Sequence, residues 1–151
     1  MNYILVCACF SWLIAQILKV IINLVKNKKV ILERFVGSGG FPSSHSAFVV
    51  GGTVATGISE GFGSVYFAIV SMLACVVIYD ALNVRYQAGE HAKALNVVFE
   101  ELPQMLKLLK EKDAYIKHKE RFKEYLGHTP FEVLGGITLG VILPFIVQKL
   151  F

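Results

Sequence analysis

Four apolar runs divide the chain, and polar residues at their edges mark where each begins and ends. Tyr3 to Val25 is apolar over 23 residues apart from Gln16, Lys19 and Asn23. As a helix it extends about 34 Å, enough to cross the hydrocarbon core of a bilayer with some tilt. Ala47 to Ser59 is rich in Gly, Ala, Val and Thr and reaches crossing length only when counted over 43–60. Gly51, Gly52 and Ala55 permit close helix approach, which predicts a central, buried position. The third run spans Ser64 to Leu82, and the fourth Phe131 to Leu150, with Pro144 as a predicted kink. The pattern predicts one domain over 1–151: an all-α integral membrane bundle with about four transmembrane helices, at 3–25, 43–60, 64–82 and 131–150.

Between His91 and Leu126 the period changes. Leu95, Val98, Leu102, Met105 and Leu109 recur at steps of three and four, with Lys107, Lys110, Lys112 and the run from Lys117 to Lys123 around and beyond them. This predicts an amphipathic region over 91–126, as one or two helices broken near Pro103, lying on an anionic membrane surface.

Composition agrees with a membrane location. Hydrophobic residues make up 55% of the 151, and the 15 Lys and Arg against 11 Asp and Glu leave a net charge of +4. Placement matters more than the total. Residues 1–25 carry only Lys19, 35–79 only Glu60 and 133–151 only Lys149; the remaining charges crowd into 26–34 and 80–132. The excess of Lys and Arg in these two blocks places both in the cytoplasm and both termini outside. A basic run also suits nucleic acid, but the hydrophobic stripe and flanking spans argue against that partner. Cys7, Cys9 and Cys75 lie in apolar runs without metal or redox spacing and read as small buried apolar residues. Met1, Asn2 and Tyr3 supply no positive n-region, so the first run is expected to remain in the mature protein.

Three polar clusters sit beside span ends: GSGGFPSSHS at 37–46, DALNVRYQAGEH at 80–91 and GHTPFE at 127–132. The predicted topology brings all three to the cytoplasmic face, where a bundle's mouth could form a site. In the first cluster Gly37, Gly39 and Gly40 lead to Pro42, with Ser43, Ser44 and His45 in the first helical turn. Unpaired N–H groups there suit an anion such as phosphate, and His45 could protonate a leaving oxygen; simple serine capping is the alternative. In the third, Thr129, Pro130 and Glu132 match a capping box, while Glu132 is also spaced to hold His128 and free its other nitrogen for attack. The middle cluster offers Arg85 as a phosphate fork, with Asp80 and Glu90 to orient it, to join a phosphate in holding a divalent cation, or simply to form a membrane-edge ion pair. Lys19 shares a stripe with Gln16 and Asn23, facing protein or else snorkelling toward the basic block. No HExxH, Walker loop or CxxC is present.

PSSH at Pro42 to His45, followed by GHTPFE, resembles the type 2 phosphatidic acid phosphatase superfamily. GGFPSSHSA, DALNVRYQAGEHAKALN and LGHTPFEV together resemble its divergent branch, related to acid phosphatases and vanadium-dependent haloperoxidases. The likeness runs from about Ala15 to Gly140. It implies a phosphatase or pyrophosphatase acting through phosphohistidine, with no metal or other cofactor. His128 matches the nucleophile, His45 the acid for the leaving group and Glu132 the residue that orients the nucleophile. Lys19 matches the lysine of the first motif, and Lys26 stands where an arginine is usual. Ser44 replaces a glycine, Glu132 an aspartate, and Phe122 stands where a Ser-Arg pair is usual, so Arg85 is the candidate to supply that cation. His91 stands in place of a glutamine.

The sequence therefore predicts a multi-pass cell-membrane phosphatase whose substrate is an isoprenoid or glycerolipid phosphate or pyrophosphate. Lys19, Ser43, Ser44 and Arg85 bind phosphate, and Asp80 and Glu90 support them. The rival is a non-catalytic membrane protein that binds anionic lipid heads or a protein partner with the same face. A pore has little support without a repeated lining pattern. Glycine-rich helix faces also suit a homodimer.

Overall fold

A computed structural model describes residues 2–27, 40–108, 122 and 127–150, with the backbone alone for 26, 27 and 102–108. Gly37, Gly39, the side chain of Lys26, Arg121 and the lysines from Lys110 to Lys123 lie outside the described residues. The described residues form five helices: α1 (Tyr3–Asn27), α2 (Ser44–Glu60), α3 (Val65–Leu82), α4 (Val84–Leu108) and α5 (Pro130–Gln148). Among the described residues there is no strand.

Among the described residues, three stretches are long and apolar enough to cross a membrane: Tyr3–Val25, Pro130–Gln148, and Val65–Glu101, which joins α3 to most of α4. At 17 residues, or about 25 Å, α2 is shorter than the hydrocarbon core, yet α1, α3 and α5 assemble around it. It packs on α1, α3 and α5, and α1 and α5 also touch each other.

Small side chains explain this arrangement. The buried face of α1 advances four residues at a time through Cys7, Ser11, Ala15, Lys19 and Asn23, the spacing that keeps residues on one helical stripe. A Cβ at Gly51 of α2 would lie 2.9 Å from Ser11 Cβ, and one at Gly140 of α5 would lie 2.8 Å from Val50 Cβ and 2.9 Å from the Ala47 carbonyl. Gly136 likewise leaves room for the Ser43 carbonyl and Ser46. The glycine faces are thus used inside one chain, where they let backbones approach to van der Waals contact.

Helix ends follow local chemistry. Ser64 caps α3 by accepting the Phe67 N–H at 3.1 Å, and Gly61 ends α2 at φ +90°. α5 continues through buried Pro144, whose carbonyl accepts the Tyr3 hydroxyl at 3.0 Å.

Some expectations are revised. The amphipathic helix begins at Val84, not His91, because only Asn83 separates it from α3. It also continues past residue 103 to Leu108; a proline removes one backbone hydrogen bond, which a helix with a buried stripe can tolerate. Of the three cysteines only Cys7 is buried; Cys9 and Cys75 face outward. Two residues along a helix is a rotation of about 200°, which turns Cys9 away from the face that buries Cys7.

Candidate active site

The start of α5 shows how one carboxylate can carry two tasks. Thr129 Oγ1 accepts the Glu132 N–H at 3.4 Å, and Glu132 Oε2 accepts the Thr129 N–H at 3.1 Å, a complete capping box. The same Oε2 lies 3.1 Å from His128 Nδ1. One carboxylate oxygen of Glu132 thus meets both the cap N–H and the His128 ring. With a carboxylate on Nδ1, the imidazole places its proton there and leaves a lone pair on Nε2, an assignment that rests on the hydrogen-bond network. His128 is 1% exposed, and its Nε2 has no partner among the described residues.

The backbone around His128 is fastened at several points. Its N–H donates to the Ala81 carbonyl in the last turn of α3 at 3.2 Å. A Cβ at Gly127 would run into the backbone of Arg85 and Tyr86, so only glycine lets this segment lie against the first turn of α4. Further upstream, the Asn96 side chain donates to the Phe122 carbonyl and accepts the Phe122 N–H, both at 3.0 Å. The Phe99 and Phe122 rings lie 6.0 Å apart beside this clamp.

α2 begins against the same point. The Ser43 N–H donates to the Glu132 carbonyl at 2.8 Å, tying the two helix starts together. Ser43 Oγ accepts the Ser46 N–H at 3.3 Å and the Ser46 hydroxyl at 3.0 Å, so this side chain acts as the cap. The N–H groups of Ser44 and His45 are left without a backbone acceptor among the described residues, as first-turn donors are. Lys19, 2% exposed, donates from Nζ to Ser44 Oγ at 3.5 Å. A buried ammonium here is no snorkelling lysine. Its stem passes Gly40, at φ +93°, where a Cβ would stand 3.4 Å from Lys19 Cγ.

The two histidines face each other with ring centroids 6.1 Å apart, His128 buried and His45 exposed at the mouth. His45 also lies within electrostatic reach of Arg85, Lys19 and Asp80. Arg85 Nε bonds Asp80 Oδ2 at 2.7 Å, bridging α3 and α4 at the partly exposed rim. Lys19, Arg85 and the positive end of α2 make this mouth attractive to an anion. Glu90 instead pairs with Lys93 at 2.6 Å on the exposed side of α4, and no contact among the described residues ties it to the histidines. Among the described residues, no three His, Cys, Asp or Glu side chains gather as potential metal ligands.

The structure therefore brings His45, His128, Glu132, Lys19, Ser44, Arg85 and Asp80 together from all five described helices and the turn before α5. It also adds residues the sequence does not single out. Gly127 could have been suspected from its place beside His128, whereas the Ala81 carbonyl and Asn96 carry no local signal.

Comparison with known proteins gives a consistent result. A family profile described as "Divergent PAP2 family" matches residues 1–143. A curated relative from Bacillus subtilis (strain 168), described as "Uncharacterized membrane protein YuiD", is 30% identical over 152 residues, which cover 99% of this chain and 96% of the relative. No solved structure matches.

Proposed function

This chain belongs to the divergent PAP2 family, and from that premise we propose that it is a membrane phosphatase cleaving a lipid phosphate or pyrophosphate, of isoprenoid or glycerolipid type, through phosphohistidine. One observation carries the reading: His128 is held through Nδ1 by Glu132, while its buried Nε2 has no partner among the described residues and its ring lies 6.1 Å, centroid to centroid, from that of His45. A structural histidine would be expected to use both nitrogens once buried.

In the proposed reaction, His128 Nε2 attacks phosphorus and forms a P–N bond as the P–O bond to the leaving group breaks. His45 gives its proton to the departing oxygen. Water then attacks the phosphohistidine, passing a proton to His45 and releasing inorganic phosphate and free His128. Lys19, Ser44, the first-turn N–H groups of α2 and Arg85 surround the phosphoryl oxygens, where charge is spread in the transition state. Ser43 contributes through the cap that holds the turn.

For the membrane setting, α2 is the fourth crossing, shortened because both of its ends meet polar surfaces, and the site opens to the cytoplasm. That side follows from the Lys and Arg blocks at 26–34 and 80–130.

The test is inorganic phosphate release by the purified chain from isoprenoid and glycerolipid phosphates and pyrophosphates. His128→Ala is expected to lower kcat by about 10³-fold or more, and His45→Ala by about 10²-fold or more. Unchanged turnover in His128→Ala would remove it as the nucleophile. A folded wild-type chain that binds these lipids saturably but releases no phosphate would instead be a head-group-binding protein.

A further inference from the structure

Beside the site, at residues next in the chain to Ser43 and Glu132, lies a feature that the phosphoryl chemistry leaves unused. An apolar groove of about 360 Å³ runs between the segment before α2 and the first turns of α5, lined by Phe41, Pro42, Phe131, Leu134, Gly135 and Thr138. Such a volume is in the range of ligand sites. From Phe131 to Thr138 the groove follows α5 for about 10 Å, away from the helix start that carries Glu132.

Two adjacent residue pairs join groove and site. Pro42 precedes Ser43, Phe131 precedes Glu132, and the Ser43 N–H to Glu132 carbonyl bond of 2.8 Å clamps the two together. Phe41 and Phe131 stack with centroids 5.3 Å apart at the end nearest the site. Phe131 is 71% and Leu134 59% exposed on the isolated chain. Thr138 turns its hydroxyl back to the Leu134 carbonyl at 2.8 Å, so its hydrogen-bonding capacity is met on its own helix. Gly135 keeps the floor low, because a Cβ there would strike the Phe41 ring.

We propose that this groove holds the hydrocarbon chain of the lipid whose phosphate sits between His45 and His128, with Gly135 and Thr138 setting which chains fit. The inference rests on the head-group reading of the histidine face. It assigns the substrate as an amphiphile whose tail lies along α5 while its phosphate stays at the helix ends. An occupant of this kind follows from the placement of a largely apolar groove directly beside an anion-attracting mouth, its Pro42 and Phe131 next in the chain to Ser43 and Glu132.

The experiment uses the full chain in lipid nanodiscs with an alkyl phosphate carrying a photoreactive diazirine in its tail, followed by peptide mapping. Label is expected on Phe41 and on residues 131–138, displaced by dodecyl phosphate and at least tenfold less well by dodecanol. Thr138→Phe, which fills the groove, is expected to lower that label at least fivefold, and Phe41→Ala, which widens it, to move the label deeper along α5. Label elsewhere, or equal displacement by phosphate and alcohol, would mean ordinary bilayer contact and overturn the proposal. The labelling is read in the His128→Ala background, where the proposed nucleophile cannot cleave probe or competitor, so the readout is binding independent of turnover. Labelling as expected, with no phosphate released by the wild-type chain, keeps the tail site and loses the phosphatase reading.

Discussion

Glu132 Oε2 serves two neighbours, and substitutions can separate its two tasks. Glu132→Gln keeps an acceptor for the Thr129 N–H but removes the negative charge beside His128 Nδ1. Phosphate release is expected to fall about 10- to 100-fold, as when other histidine-orienting groups are lost, with little change in the unfolding temperature. Thr129→Ala should show the reverse balance: a loss of about 1 kcal/mol from the missing cap and a smaller change in turnover. Equal effects of the two on both measurements would leave Glu132 with a capping role alone. Lys19→Met supplies a second test, since it removes a buried cation while keeping much of the stem. Turnover is expected to drop at least tenfold while thermal stability is kept or raised, because a buried ammonium costs desolvation that methionine does not. At this scale the motif residues were legible because each is defined by its own chemistry and local spacing. Asn96 was not, since its partner is the backbone of Phe122, 26 residues away.

Between helices, the contacts depend on the absence of side chains. Gly140→Leu would drive a branched side chain into Val50 and the Ala47 carbonyl, and a cost of about 1–3 kcal/mol is expected, read as a lower unfolding temperature in detergent. A substitution on the outer face, such as Ile142→Leu, should change it little. Asn96→Ala removes both bonds to Phe122, and buried amides so deprived typically cost about 1–3 kcal/mol. The specific sign would be faster hydrogen exchange at the His128 amide, which the Ala81 carbonyl holds only while this segment stays in place. Apolar runs located α1, α3 and α5 because length and hydropathy report directly on a spanning helix. The start of α4 was misplaced by seven residues because the polar residues at 80–91 obscure a helix whose continuity from α3 is interrupted only at Asn83.

For the whole molecule, the proposed topology makes a further prediction. In a background without native cysteines, a cysteine at Gly63 should react with a membrane-impermeant maleimide added outside intact cells, and one at Arg85 only after the inner side is opened. Reversed reactivity would invert the orientation, though not the geometry of the site. The sequence by itself determined the helical class, the apolar spans, the local caps and the residue types able to handle phosphate. Those properties arise from short-range periodicity, solvent preference and side-chain chemistry, all written within a few residues of one another. Only the tertiary structure decided that Lys19 is buried beside Ser44, that His45 meets His128, that Glu90 pairs elsewhere, and that an apolar groove along α5 begins at residues next in the chain to Ser43 and Glu132. These are distances between helices, and they depend on which small residues let backbones approach, a property of pairs that no single stretch of sequence contains.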